Sequence, residues 1–177
     1  MRSKLILLIF AIVLLMAGIL VAICLAEQVP NGAGMAHPEF NGMQIGGDGA
    51  ARLEHIGGLA FAFQCLLLTL IVALSALGIA EERRSAELWA YMGGTLLFSL
   101  FVWWQMYAGH QAYLATGTSN YFMGFPVATA WQVYGTWLGA IPLIALYSLG
   151  FRKFIFTKED EARYEQLLKE IAEKTEQ

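Results

Sequence analysis

With 58% hydrophobic and only 14% charged residues among 177, this chain is too apolar to be an ordinary soluble domain. Its mean hydropathy of +0.55 indicates a protein that crosses a membrane several times. The net charge of -3 is small and gives no indication of nucleic-acid binding. Cys24 and Cys65 lie in apolar runs without the spacing of a metal or redox site, so both are interpreted as buried free thiols.

Four long apolar runs occur in the chain, separated by charged or turn-forming segments. The first, from Leu5 to Ala26, is longer than the apolar core of a signal peptide, which has about 7 to 15 residues. We interpret it as a membrane helix, because about 20 apolar residues cross the hydrocarbon core. The four predicted membrane helices cover about residues 5–26, 56–80, 88–109 and 127–150.

The segments between these predicted helices differ in character. Glu27 to Leu53 is rich in Gly, Pro and Asn, which favour turns, and is predicted to be a loop. The charged residues 81–84 form a short turn, so helices two and three are expected to pair as an antiparallel hairpin. A second loop is predicted from His110 to Pro126.

The tail, residues 157–177, is predicted to be a short amphipathic helix outside the membrane. Thr157 and Asp160 have the spacing of a capping box, which begins a helix. The apolar residues that share one face of this helix are Tyr164, Leu167, Leu168 and Ile171.

Basic residues predict the orientation, because cytoplasmic segments of membrane proteins are enriched in Lys and Arg. Only Arg52 falls on the outer side of the four-helix arrangement, so both termini are predicted to be cytoplasmic. We therefore expect an all-α fold, with a four-helix transmembrane bundle over residues 1–156, in a bacterial cytoplasmic (inner) membrane. The basic residues on the cytoplasmic side are Arg2, Lys4, Arg83, Arg84, Arg152, Lys153, Lys158, Arg163, Lys169 and Lys174.

Small residues and one amide recur at helical spacing along the fourth predicted helix: Ala128, Gln132, Gly135 and Gly139. Small residues let two helix backbones approach closely in a membrane. We expect this face to pack against another helix, and we predict that it contacts a partner protein. Gln64 and Gln105 place further amides in helices two and three, where an amide needs a hydrogen-bonding partner.

Two histidines are predicted to lie at the same membrane depth, because His55 begins helix two and His110 ends helix three on the outer side. Two imidazoles so placed could ligate a b-type haem, or, with His37, a divalent metal. Glu39 and Glu54 lie beside these histidines and would supply acidic groups to such an outer-loop site. The alternative is that the histidines are interfacial residues that hydrogen-bond loop carbonyls.

No Asp, Glu, Lys, Arg or His lies deep in any of the four predicted helices. Ion-coupled transport and proton relays need such groups within the membrane, so the chain is a poor transporter by itself. The sequence also lacks a recognisable nucleophile arrangement, phosphate-binding loop or facing carboxylate pair, so no catalytic residue is predicted.

The stretch from about Tyr121 to Glu170 carries a resemblance to a known family. Its features are Phe125 and Pro126, then Trp131, Gln132 and Gly135 in an apolar run, then Tyr147 and a charged tail with Arg163 and Tyr164. This pattern resembles the last membrane helix of small accessory subunits of bacterial sodium:solute symporters, although those subunits usually have two helices. The resemblance implies a non-catalytic subunit whose fourth helix packs on a large transporter and whose tail lies on its cytoplasmic face.

The sequence thus favours a non-catalytic accessory or structural subunit of a larger integral membrane complex, such as a transporter. Its expected partners are larger membrane proteins and the lipid bilayer, with no cofactor. One alternative is a redox subunit of a respiratory-type complex that binds haem b or a quinone through His55 and His110. Another is a metal site in the outer loops.

Overall fold

The computed structural model of the chain describes residues 2–29, 34–47 and 49–175. Residue 1, residues 30–33 and 48 of the first predicted loop, and residues 176–177 of the predicted tail lie outside this description. Most described residues are helical, which confirms the expected helical class. Within the described residues, three helices are long and apolar enough to cross a membrane, namely Ser3–Leu25, Glu54–Leu77 and Ala86–Thr116.

The α-helices in chain order are α1 (Arg2–Leu25), α2 (Gly49–Leu77), α3 (Ala86–Thr116), α4 (Val127–Ala130), α5 (Thr136–Ser148) and α6 (Lys158–Thr175). A π turn, Trp131–Gly135, makes α4 and α5 one continuous helical run, and a second π turn, Phe151–Ile155, lies before α6. A 3-10 turn, Glu81–Arg83, lies between α2 and α3. Two short antiparallel hairpins are formed by β1 (Met35–Ala36) with β2 (Gln44–Ile45) and by β3 (Tyr121–Phe122) with β4 (Phe125–Pro126).

The two ends of the bundle differ. We call the end with the Glu81–Arg83 turn and α6 the tail end, and the end with the two hairpins the loop end. The core lies toward the tail end, where the largest fully buried side chains are Ile79, Leu88 and Met92. Helix α1 is largely uncovered by the rest of the chain, since only 6% of the residues in its most apolar stretch are buried. A helix that is apolar all round and uncovered by protein is suited to contact with lipid.

Two helices extend further at the loop end than hydropathy predicts. α2 begins at Gly49, inside the predicted first loop, and α3 continues to Thr116, so His110 lies within a helix. Hydropathy shows where the apolar surroundings of a helix end. The helix can continue past that point, because it satisfies its own backbone hydrogen bonds. The stop signal of α3 is Gly117, which has φ +68° and donates its N–H to the Tyr113 carbonyl.

The β3–β4 hairpin presents an apolar tip. Met123 and Gly124 occupy its two-residue turn with φ of +47° and +86°, as a type I′ turn requires. Tyr121 and Met123 are 73% and 70% exposed there. The loop end therefore carries exposed apolar side chains on both hairpins, since Met43 of the first hairpin is also exposed.

Candidate functional site

The predicted haem ligands His55 and His110 lie on different helices at the loop end. His55 is exposed on α2 and lines a cleft of about 390 Å³ between the end of α1 and the start of α2, together with Glu27 and Arg52. His110 is half-buried on α3, with its ring centroid 6.3 Å from that of Tyr113. The described wall of the His55 cleft does not include His110.

His37 has a structural role in the first hairpin. Its Nδ1 accepts hydrogen bonds from the backbone N–H groups of Glu39 at 3.1 Å and Phe40 at 3.2 Å. Its ring also packs on Phe40, with the centroids 4.9 Å apart. Because Nδ1 is engaged, only Nε2 is left for a metal. Within residues 2–29, 34–47 and 49–175, no group of three or more His, Cys, Asp or Glu side chains is arranged to hold a metal ion.

The small-residue face of the fourth helical run packs on α3 of the same chain. A Cβ built on Gly109 of α3 would lie 3.3 Å from the Cβ of Ala128. A Cβ built on Gly139 would lie 3.8 Å from the Oγ of Ser99, also on α3. This face therefore meets a helix, as its composition predicts, and at these positions the helix belongs to the same molecule.

The closest approach on this face is at Gly135, the last residue of the first π turn. A Cβ there would lie 2.8 Å from Cε3 of Trp131 and 2.9 Å from Cγ1 of Val102. The N–H of Thr136 donates to the Trp131 carbonyl five residues earlier, so this turn contains an extra residue. The extra residue breaks the regular helical spacing. The sequence placed Gln132 on the same face as the glycines, whereas in the structure its side chain is exposed.

A cavity of about 380 Å³ lies between α2, α3 and α5, near the middle of the candidate span of α2. Most of its wall is apolar, and three polar side chains reach it: Gln64 of α2, Ser99 of α3 and Thr136 of α5. The hydroxyl of Ser99 donates to the Thr95 carbonyl at 2.9 Å. Among the described residues, the Gln64 amide and the Thr136 hydroxyl have no hydrogen-bond partner. The sequence singles out Gln64 as an amide in need of a partner, but contains no signal for the cavity.

Contacts on either side explain why space remains between α2 and α5. Near the tail end, the hydroxyl of Tyr147 on α5 donates to the Ser75 carbonyl on α2 at 2.6 Å. Toward the loop end, α2 packs on α3 instead. There the rings of Phe61 and Trp103 stack with centroids 5.9 Å apart, and Trp103 Nε1 donates to the Phe61 carbonyl at 3.2 Å. The cavity lies where α2 and α5 separate.

The start of α6 is fixed to the tail end of the bundle. Arg83 forms an ion pair with Asp160 and donates to the Ile155 carbonyl. The Thr157 N–H donates to Asp160 Oδ2 at 2.8 Å, and the Asp160 N–H donates to Thr157 Oγ1 at 3.4 Å. These two bonds confirm the predicted capping box. The cap and the ion pair share one carboxylate, so α6 begins at a point held by the α2–α3 turn.

The two carboxylates at the start of α6, Asp160 and Glu161, remain ionised at neutral pH. The Thr157 N–H and then the Arg83 guanidinium lower the pKa of Asp160 below its ordinary value. A hydrogen bond from Arg152 at 2.6 Å likewise lowers the pKa of Glu161. Because the pKa of each carboxyl group is lowered, the anchor at the start of α6 is expected to be insensitive to physiological pH changes.

Arg84 donates hydrogen bonds to backbone carbonyls at and just beyond the end of α2. It is buried, with 9% of its surface exposed. Its Nε donates to the Ile79 carbonyl at 3.0 Å and its Nη2 to the Leu77 carbonyl at 3.2 Å. A cation at the C-terminal end of a helix both binds carbonyls that lack an intrahelical partner and complements the helix dipole.

Beyond its anchored start, α6 presents an apolar stripe to its surroundings. Tyr164, Leu167 and Leu168 are 56%, 49% and 48% exposed. The helix carries six acidic and four basic side chains over Lys158–Thr175. The stripe therefore lies on a helix that is acidic on balance and held at one end.

No protein-family model matches this chain, and no curated protein or solved structure matches it either.

Proposed function

We propose that this chain is a four-span membrane protein with both ends in the cytoplasm, acting as a non-catalytic accessory subunit of a larger integral membrane complex. The fourth span would be the continuous run Val127–Ser148, which at about 1.5 Å per residue is about 33 Å long and matches the hydrocarbon core. The basic residues of the tail end support the cytoplasmic orientation. A bacterial inner membrane is the proposed location.

The exposed stripe of α6 carries the proposal. A solvated tail without a binding role needs no ordered contact with the bundle. In this chain, however, the ion pair of Arg83 and Asp160 holds the start of α6 in one place. Holding it there keeps Leu167 and Leu168 presented at the tail end, half-exposed. An anchored helix with an uncovered apolar stripe is the arrangement by which a helix binds in a groove of a partner.

The charge of α6 favours a protein surface over the lipid surface as the occupant of this stripe. Helices that lie on membranes combine an apolar face with a polar face rich in Lys and Arg, which anionic lipids attract. In α6, carboxylates outnumber cations by six to four. The helix therefore lacks the electrostatic attraction to lipid, and we propose that it docks on a cytoplasmic surface of the larger subunit.

The test is purification of the tagged chain from its native membrane in mild detergent, followed by mass spectrometry of the eluate. The decisive variant is L167Q/L168Q, which removes the stripe without changing the charge. Burying the exposed half of two leucines contributes about 2 kcal/mol, which is about a 30-fold change in affinity. The matched control, K169Q/E173Q, alters the opposite side of α6 and also conserves net charge.

We expect wild type and control to retain a larger membrane protein in fixed ratio and L167Q/L168Q to lose it. A monomeric wild-type chain, or equal retention by both variants, would contradict the proposal. An absorbance spectrum of the same eluate tests the alternative of a redox subunit, because a bis-histidine haem gives a Soret band that H55A or H110A would remove.

A further inference from the structure

We infer that the cavity between α2, α3 and α5 binds a lipid-soluble quinone-type ring, with Gln64 and Thr136 hydrogen-bonding to its oxygen atoms. This inference is independent of the accessory role and of the loop-end histidines. It rests on the position, polarity and shape of a cavity that lies between three helices and is open on one side.

The first observation is the unsatisfied amide of Gln64. This residue lies about 15 Å along α2 from Glu54 and about 20 Å from Leu77, near the middle of that span. Water is scarce at that depth, and a polar group without a hydrogen bond costs several kcal/mol. No described side chain or carbonyl bonds to this amide. A ligand oxygen in the cavity would satisfy it.

The second observation is that another unsatisfied donor lines the same space from a different helix. Thr136 belongs to α5, where its side chain is exposed at the edge of the cavity, and its hydroxyl has no hydrogen bond among the described residues. It follows the π turn directly, and π turns occur frequently at functional sites. Two donors on separate walls of an apolar space suit a rigid ring that carries oxygen atoms on opposite sides.

The third observation is the size and lining of the cavity. Its volume of about 380 Å³ falls within the range of ligand pockets, about 300–1,000 Å³. Trp103 and Met106 contribute an aromatic ring and a polarisable thioether to the wall, both suited to a flat π system. Gly139 leaves one side open, because a Cβ there would contact only Ser99 Oγ, at 3.8 Å.

The chemistry distinguishes a quinone ring from an acyl chain. A lipid chain would fill the apolar space but leave both donors unsatisfied. A ring with carbonyl or hydroxyl oxygens would fill the space and accept from Gln64 and Thr136 together. Binding alone is inferred, and the tail-end contact of Tyr147 with Ser75 would close the pocket below the ring.

The experiment is titration of the purified full-length chain in detergent with a decyl-substituted benzoquinone, followed by quenching of tryptophan fluorescence. Decylbenzene, which has the same chain and no oxygen, serves as the ligand control. We expect Q64L to weaken quinone binding about tenfold and the isosteric T136V to weaken it several-fold, as for loss of one hydrogen bond. G139L should abolish binding by filling the space.

Q105L is the matched control variant, because Gln105 is a half-buried amide on α3 that does not line the cavity. It should bind the quinone like the wild type. Unfolding temperatures of all variants show whether each one is folded, and Q64L and T136V remain informative if G139L is not. Failure of the wild type to bind, equal binding by wild type, Q64L and T136V, or competition by decylbenzene at the same concentration as the quinone would each overturn the inference.

Discussion

The substitution Gly135→Ala tests whether the fourth helical run packs on α3 as the structure shows. The added methyl group would lie 2.8 Å from Cε3 of Trp131 and 2.9 Å from Cγ1 of Val102. Val102 cannot move easily, because it is only 4% exposed. The Trp131 ring makes a T-shaped contact with Phe101, at 5.5 Å between centroids, and would lose it by moving. The helices must therefore separate or the π turn must shift.

The magnitude follows from comparison with Gly139→Ala on the same helical run. Both changes replace Gly by Ala, so the gain in helix propensity of about 1 kcal/mol is common to both and cancels in the difference. At Gly139 the methyl group would meet only Ser99 Oγ, at an ordinary 3.8 Å. The remaining difference is the cost of overpacking at Gly135, about 1–3 kcal/mol.

The assay is thermal unfolding of both variants in the same detergent and at the same protein concentration. For a chain of this size, 1 kcal/mol corresponds to about 2–4 °C, so G135A should melt about 2–12 °C below G139A. G139A should melt at or slightly above the wild type. Equal melting temperatures, or a more stable G135A, would show that this helical run does not lie against α3 as the structure has it.

Three further predictions concern the tail end. Arg84→Gln should lower the free energy of unfolding by about 1–3 kcal/mol, because carbonyls at the end of α2 lose a buried cation; unfolding in detergent measures this. Arg83→Ala should speed proteolysis of α6 several-fold in inside-out vesicles, whereas Lys158→Ala, which leaves the Asp160 contacts intact, should not. The same proteolysis should be constant from about pH 5 to 8. Because the pKa of Asp160 is lowered, its stabilisation is complete above the ordinary carboxyl pKa of about 4 and is lost only as the pH falls toward the lowered value. Release of α6 at pH 6 would contradict this assignment.

Local patterns in the sequence predicted the helices and the tail cap well, because both depend on neighbouring residues. The capping box of Thr157 and Asp160 is an example. Hydropathy was less informative about helix ends. Hydropathy shows where the apolar part of a helix ends and not where the helix itself ends. Helix α3 continues past His110 until Gly117 adopts a left-handed conformation. The end of a helix depends on its cap and not on the membrane boundary.

The candidate cavity could not be predicted, because it depends on how three helices separate. Gln64 was recognisable as an amide that needs a partner, but the contact of Tyr147 with Ser75 joins residues far apart in the chain. The π turn also lacks a local signal beyond Gly135 itself. For the same reason, the exposure of Gln132 could not be read from regular helical spacing.

The position of α3 limits where a partner can bind. Because α3 already lies against Gly135 and Gly139, a larger subunit would have to approach the fourth helical run where α3 does not cover it. An apolar groove of about 370 Å³, lined by Trp131, Tyr134 and Gly135, is open there, and the exposed Gln132 has no hydrogen bond among the described residues. Together with the stripe of α6, this would give the proposed partner two contacts, one near each end of the same helical run. Since α6 is tied to the bundle through Arg83, the two contacts would hold the partner in a single orientation, as an accessory subunit requires.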